Sequence, residues 1–216
     1  MDDVSFRKTR AIMFAALASL LALGCASLLA SASGADPVAD IVIDELPSDA
    51  AGFERLRNRL ASSPEGGVAA FVVALNLYAM DRDLGLACVT MTLHHAPEFV
   101  VESAAGPWKG FEPSEKTRYL LSFIDEFPGT ARSFIVGTSP EGAYALPPLP
   151  WTIRVSRNAY SVKEGGEVMV FVQTSGAGKP RPAYARRNDR GLWKVSGLSS
   201  LVMGVKKPSA PDGDDL

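Results

Sequence analysis

Two groups of side chains in this chain could do chemistry, and they lie far apart in the sequence. The first is His94-His95, with Glu98 and Glu102 close behind. Imidazole nitrogens and carboxylate oxygens are zinc-type ligands, and histidine exchanges protons near neutral pH. No third histidine exists in the chain, and adjacent residues of a helix point in different directions. The expected reading is therefore a solvated helix end, where histidines favour the negative helix terminus. No metal and no other cofactor is assigned. The second group is basic: Arg181, Arg186, Arg187, Arg190 and Lys194, with Tyr184 and Trp193 among them. Guanidinium groups bind carboxylates and phosphates through paired N–H donors and also stack on aromatic faces. On a strand, Arg181 and Arg187 share one face and Arg186 takes the other. Aromatic packing or pairing with acidic helices is the favoured use of these cations. An anion-binding surface is the sharper one, with Arg186, Arg187, Arg190 and Trp193 as candidate binding residues.

The rest of the sequence offers little catalytic machinery. It contains no nucleophile-elbow pattern, phosphate loop, dinucleotide fingerprint or EF-hand loop, and no catalytic residue is assigned. Cys25 and Cys88 are the only cysteines. Cys88 falls in an apolar helical stretch, where a lone thiol reads as a small core residue. Ser-Pro-Glu-Gly occurs at 63–66 and again at 139–142, but the flanks differ, so each reads as an independent cap or turn. Leu146-Pro147-Pro148-Leu149-Pro150 resembles a polyproline ligand, yet between predicted strands it reads as a rigid connector.

These residues need elements to hold them. Ser48 is a plausible N-cap for a helix through Leu60, with Phe53, Leu56 and Leu60 at helical spacing and Arg55, Arg57 and Arg59 mostly outward. Ser63 caps a second helix with Pro64 in its first position. From Val68 to Met80 its only strongly polar residue is Asn76. A helix apolar on nearly every face is buried, so Asn76 must find hydrogen-bond partners inside. Gly66 and Gly67 would let another element approach closely. Asp81 and Asp83 mark a turn into a third helix carrying Cys88, and Ala96 to Pro113 reads as loop. Ser114 caps a further helix that ends at Pro128-Gly129. Strand periodicity follows at 133–136, 151–156, 168–174, 181–187 and 192–195, with Asn188 to Gly191 as a hairpin turn and 198–205 continuing the sheet.

Near the start, Arg7, Lys8 and Arg10 precede an apolar run from Ala11 to Ala30, the order of an export signal. Three fates are open: cleavage after Ala32 or Ala35, lipidation of Cys25 in the lipobox-like Leu21-Ala22-Leu23-Gly24-Cys25, or retention as a membrane anchor. Ala22 departs from the branched aliphatic residue a lipobox expects. Each fate places the remainder outside the cytoplasm, where nucleic acid is not an expected partner. The expected divisions are 1–35 as signal or anchor, 36–47 as an acidic tether (with Ile41 to Ile43 either strand or tether), 48–207 as one domain and 208–216 as a disordered tail.

Overall charge is near neutral, at −2, but residues 36–150 carry 16 acidic against 8 basic side chains and 151–208 carry 3 against 11. Attraction between the two parts within one fold is the favoured reading; a basic face for phospholipid headgroups or anionic polysaccharide is the sharper one.

Helices first and antiparallel strands afterwards define an α+β fold with helices covering one face of a curved sheet. The order resembles cone-shaped nuclear-transport-factor-2-like domains. Several ordered blocks also resemble a family of secreted or lipid-anchored bacterial proteins known only as a domain of unknown function. They include Pro64-Glu65-Gly66, Leu84-Gly85-Leu86-Ala87-Cys88, Ala131-Arg132-Ser133-Phe134, Val170-Phe171-Val172 and Gly191-Leu192-Trp193-Lys194-Val195. That resemblance implies no catalytic residue. The functional expectation is a non-catalytic binding domain for a protein or an anionic envelope component, membrane-attached through its N-terminal segment if that is retained. The alternative is a small-molecule binder or enzyme using the interior of the cone.

Overall fold

The computed structural model describes residues 38–208. The leader with Cys25 and the last residues of the tail lie outside the described residues. Five strands form one antiparallel sheet: β1 (Val38–Ile43), β4 (Trp151–Ser156), β5 (Val168–Val172), β6 (Arg181–Arg187) and β7 (Trp193–Gly197), side by side in that order. A two-stranded hairpin, β2 (Val100–Glu102) with β3 (Phe111–Pro113), stands apart from it. The helices are α1 (Ala50–Leu60), α2 (Pro64–Met80), α3 (Arg82–Thr92), α4 (Glu115–Glu126) and the short α5 (Gly129–Arg132) and α6 (Ser199–Val202). The α+β class expected from the sequence is the class observed.

Everything is organised around α2. Ser63 Oγ accepts from Gly66 N at 3.0 Å, Pro64 occupies the first turn, and Glu65 complements the positive end. From Val68 to Leu75 every residue is fully buried, because strands β4 to β7 lie on one side and α1, α3, α4 and α5 on the others. Each buried Val, Leu or Phe there contributes about 1.5–3 kcal/mol. Two glycines permit the packing. A Cβ on Gly67 would sit 2.7 Å from the Trp193 carbonyl oxygen of β7, and one on Gly85 would sit 2.0 Å from the Tyr78 Cα of α2. Asn76 donates to the Val72 and Ala131 carbonyls at 3.0 and 2.9 Å, which ties α2 to α5. Cys88 is wholly buried, and burial pushes its thiol up to about 12.

The structure departs from the expected elements in several places. Ile41 to Ile43 belong to β1, paired with β4 from Val38↔Ser156 to Ile43↔Trp151, so this segment is sheet and not tether. Asp49 caps α1 in place of Ser48, its Oδ1 accepting from Gly52 N. Residues 133–136 are not a strand: Ser133 N and Ile135 N donate back to Gly129 and Arg132, continuing the turns of α5. Residues 198–205 do not continue the sheet. Leu198, Leu201 and Val202 are buried at helical spacing, and α6 forms there. The stretch read as loop at 96–113 holds the β2–β3 hairpin. Its turn places Lys109 at φ 49° and Gly110 at φ 80°, the two positive values that a type I′ turn requires. Arg57, read as outward, is only 7 % exposed.

Candidate functional site

Three elements converge beside β7 and leave a cleft between them. Helix α1 contributes Glu54 and Arg57, one turn apart. The β2–β3 turn contributes Trp108, Lys109 and Phe111. The β6–β7 turn and the start of β7 contribute Asn188, Arg190 and Lys194. The space consists of adjoining hollows of about 450 and 180 Å³ that share Trp108, Phe111, Asn188 and Lys194 in their walls. His95 borders the smaller one, its ring edge-on to Phe111 at 4.8 Å.

Local structure explains how each group is held. Reciprocal bonds between Trp108 and Phe111 close the type I′ turn, at 3.3 and 2.9 Å, so both aromatic rings flank it and Lys109 projects from its tip. In the β6–β7 turn, Asn188 Oδ1 accepts from Arg190 N at 3.1 Å and Leu192 N at 2.9 Å, and Gly191 takes φ 79°. Lys194 lies opposite Arg186 in the β6–β7 register. Its Nζ donates to the Met91 carbonyl in the last turn of α3, where helix carbonyls lack internal partners and attract cations.

The electrostatics are one-sided. Arg57, Lys109, Arg190 and Lys194 surround the larger hollow, and Glu54 is the one carboxylate in its wall. Glu54 accepts from Lys109 Nζ at 2.9 Å and faces Arg57 at 3.6 Å. The Lys109 hydrogen bond holds its carboxyl below the usual range. Lys109 also lies 4.6 Å from the Trp108 ring centre, a cation–π distance. Arg57 is depressed by burial, and its Nε meets no hydrogen-bond partner among the described residues. A buried, unpaired guanidinium nitrogen is costly unless something accepts from it. Burial, then repulsion from Arg57, pushes Lys194 down to about 7, with Glu54 opposing and Arg190 adding to the fall. Such a wall suits a carboxylate or phosphate.

Of the four candidate binding residues, the structure brings one to this cleft. Arg190 lines it. Arg186 Nε instead donates to Glu167 at 3.1 Å, and Glu167 also accepts from Ser196 at 2.7 Å. Arg187 Nε donates to Gly191 O of its own turn at 3.0 Å. Trp193 lies opposite Arg187, packs against the core and donates its backbone N–H to Ala61 O at 2.8 Å. His94 donates its backbone N–H to Val195 O, and burial, then Arg186, lowers its imidazole. Among the described residues no group of three or more His, Cys, Asp or Glu side chains lies together as a metal site would need.

Sequence reading left out Arg57, Trp108 and Lys109. Arg57 carried a signal: Phe53, Leu56, Arg57 and Leu60 are the full i, i+3, i+4, i+7 stripe of one helix face. Lys109-Gly110 between Val100-Val101-Glu102 and Phe111-Glu112-Pro113 was a weak hairpin signal. Lys194 was visible as one base of a crowded hairpin, but its burial against the end of α3 was not.

Fold and site together define a small α+β domain with a cation-lined cleft beside the edge strand of its sheet. Residues 45–209 match the family described as "Domain of unknown function (DUF6935)". The chain belongs to that family. No curated protein and no solved structure matches it, so the nuclear-transport-factor-2-like cone stays an analogy of pattern.

Proposed function

We propose that this is a binding domain acting outside the cytoplasm, which takes the anionic group of a small ligand, a carboxylate or phosphate, in the cleft between α1, the β2–β3 turn and the β6–β7 turn. The observation that carries the reading is Arg57. A guanidinium buried to 7 % exposure in the cleft wall, beside Lys109, Arg190 and Lys194 with Glu54 as the one carboxylate, sets four cations against one anion, an arrangement suited to an acceptor. The cleft volume suits a small ligand or a headgroup. Its position at the rim of the sheet, and not in the α2-filled core, favours capture at a surface. The extracytoplasmic part rests on Arg7, Lys8 and Arg10 before the apolar run to Ala30. Among the described residues no helix is long and apolar enough to cross a membrane, so membrane attachment would rest with the N-terminal segment.

Thermal unfolding of the purified chain with inorganic phosphate tests the cleft. Phosphate is expected to raise the midpoint at low salt, less so in about 0.3 M sodium chloride, and not in an Arg190→Ala, Lys109→Ala variant, whose exposed positions leave the core intact. Equal response of variant and wild type overturns the assignment. Vesicles containing phosphatidylglycerol form the second arm: retention that free phosphate displaces identifies a headgroup, and phosphate binding without retention identifies a soluble ligand. The mature N-terminus, read by mass spectrometry from fractionated cells, tests location. An acylated Cys25, a start at Ser33 or Asp36, or an intact leader in the membrane fraction each supports it, and an intact cytoplasmic chain refutes it.

A further inference from the structure

The cleft also holds a nucleophile that anion binding by itself does not use. We propose that Lys194 captures an anionic carbonyl compound, an aldehyde or oxo acid small enough for the cleft, as a reversible imine; the proposal rests on the anion-binding role given to the cleft above.

A primary amine attacks a carbonyl only through its free lone pair, which an ammonium in water lacks. Lys194 is 8 % exposed yet lines both hollows at their junction, and it forms no ion pair with a carboxylate of the described residues. Around it stand Glu54 and Arg57 of α1, Lys109 of the β2–β3 turn, Arg190 of the β6–β7 turn and His95 after α3. Glu54 is engaged by Lys109 and Arg57. Burial beside like charges drives a lysine towards its neutral form, the usual way to activate an amine, and Lys194 is pushed down to about 7 accordingly. A neutral amine can still donate one N–H to the Met91 carbonyl, its bond in this structure. That bond fixes the nitrogen and leaves its lone pair free.

The walls divide the work. Trp108 and Phe111 supply apolar surface beside the nitrogen, which limits water at the carbon–nitrogen bond. Arg57 and Arg190 of the same wall supply guanidinium groups for a carboxylate or phosphate on the same ligand. In the step itself the amine nitrogen bonds to the carbonyl carbon, giving a carbinolamine. The carbonyl oxygen then leaves as water, carrying the two protons the amine held, and a carbon–nitrogen double bond remains. No electrons are exchanged, and hydrolysis reverses the step.

The test uses the wild-type chain. Glyoxylate with sodium cyanoborohydride at about pH 7.5 fixes any imine, and peptide mapping reads each lysine. Lys194 is expected to be alkylated at least about tenfold faster than Lys109, Lys116, Lys163, Lys179, Lys206 or Lys207, none of which lies buried among the cleft's cations as Lys194 does. Excess phosphate should slow Lys194 and leave the others unchanged. Propanal in place of glyoxylate should show a smaller preference, because the free lone pair favours Lys194 with either carbonyl but the cations draw in only the anion. Labelling of Lys194 no faster than the other lysines overturns the imine, even where phosphate still raises the unfolding midpoint and the cleft reading stands. Equal selectivity with propanal overturns the anionic class of ligand.

Discussion

Replacing Lys194 with Met should change how stability depends on pH more than it changes stability at any one pH. In the folded protein the amine is pushed down from 10.5 to about 7, with burial the main cause. The folded state therefore disfavours the charged form. Below pH 7 the folded and unfolded chains both carry the charge, and its burial costs the folded state about 5 kcal/mol relative to a neutral amine, at about 1.36 kcal/mol for each tenfold loss of proton affinity. Between pH 7 and 10.5 the folded chain holds fewer protons than the unfolded one, so stability rises with pH by linkage. Above 10.5 the cost is gone. From pH 6.5 to 8.5 the wild type should gain about 2 kcal/mol that the Met variant does not. The variant also leaves the Met91 carbonyl without its donor, a loss of about 1–3 kcal/mol that does not vary with pH. The slope is thus diagnostic and the offset is not. Urea unfolding at pH 6.5, 7.5 and 8.5 measures both, and the difference between the two proteins cancels shared contributions such as that of His94. Cys88 is buried alike in both proteins, so its contribution cancels in the same difference. A difference that stays constant within about 0.5 kcal/mol across the three pH values refutes the neutral amine.

Two further outcomes test the scaffold. Gly67→Ala should lower stability by about 1–3 kcal/mol in the same assay despite the better helix propensity of Ala, because the added carbon meets the Trp193 backbone oxygen at 2.7 Å; a stabilised variant would mean that α2 and β7 are not this close. Cys88 should resist iodoacetamide in the folded protein and react only on unfolding, since its thiol is wholly buried and pushed up to about 12. Peptide mapping separates it from Cys25, and rapid native labelling of Cys88 would contradict the core packing.

The scaffold was legible wherever a local rule and the tertiary environment pointed the same way. Ser63, Asp81 and Ser114 cap helices as their side chains suggest, and the all-round apolar face of α2 could only mean burial. Alternation located β4, β5 and β6, and Asn188 to Gly191 located the last turn. Reading failed where a short segment was decided by its neighbours. Phe134 and Ile135 have strand-like side chains, but the chain leaves α5 in further turns there. After Gly197, Leu198, Leu201 and Val202 are spaced for a helix, yet their apolar run also reads as strand.

The cleft was less legible because its charges come from both parts of a chain that reads as acidic and then basic. Part of that asymmetry resolves inside the fold: Arg154 grips Asp40 at 2.7 and 2.8 Å, and Arg157 pairs with Glu65. Those pairs join basic side chains of the second part to acidic ones of the first, as mutual attraction requires. The cleft follows the opposite logic. Arg57 and Lys109 come from the acidic part and gather with Arg190 and Lys194 from the basic part. Like charges assembled from distant segments oppose folding unless something offsets them. Glu54 offsets part of the repulsion, and a lysine pushed down to about 7 relieves more as the pH rises past that value. What is left is an excess of cations over the one carboxylate of the wall. A net-charge count along the sequence cannot reveal such a cluster, because its members cancel against acidic neighbours in each segment's total. It becomes visible only when α1 and the β2–β3 turn fold against β7.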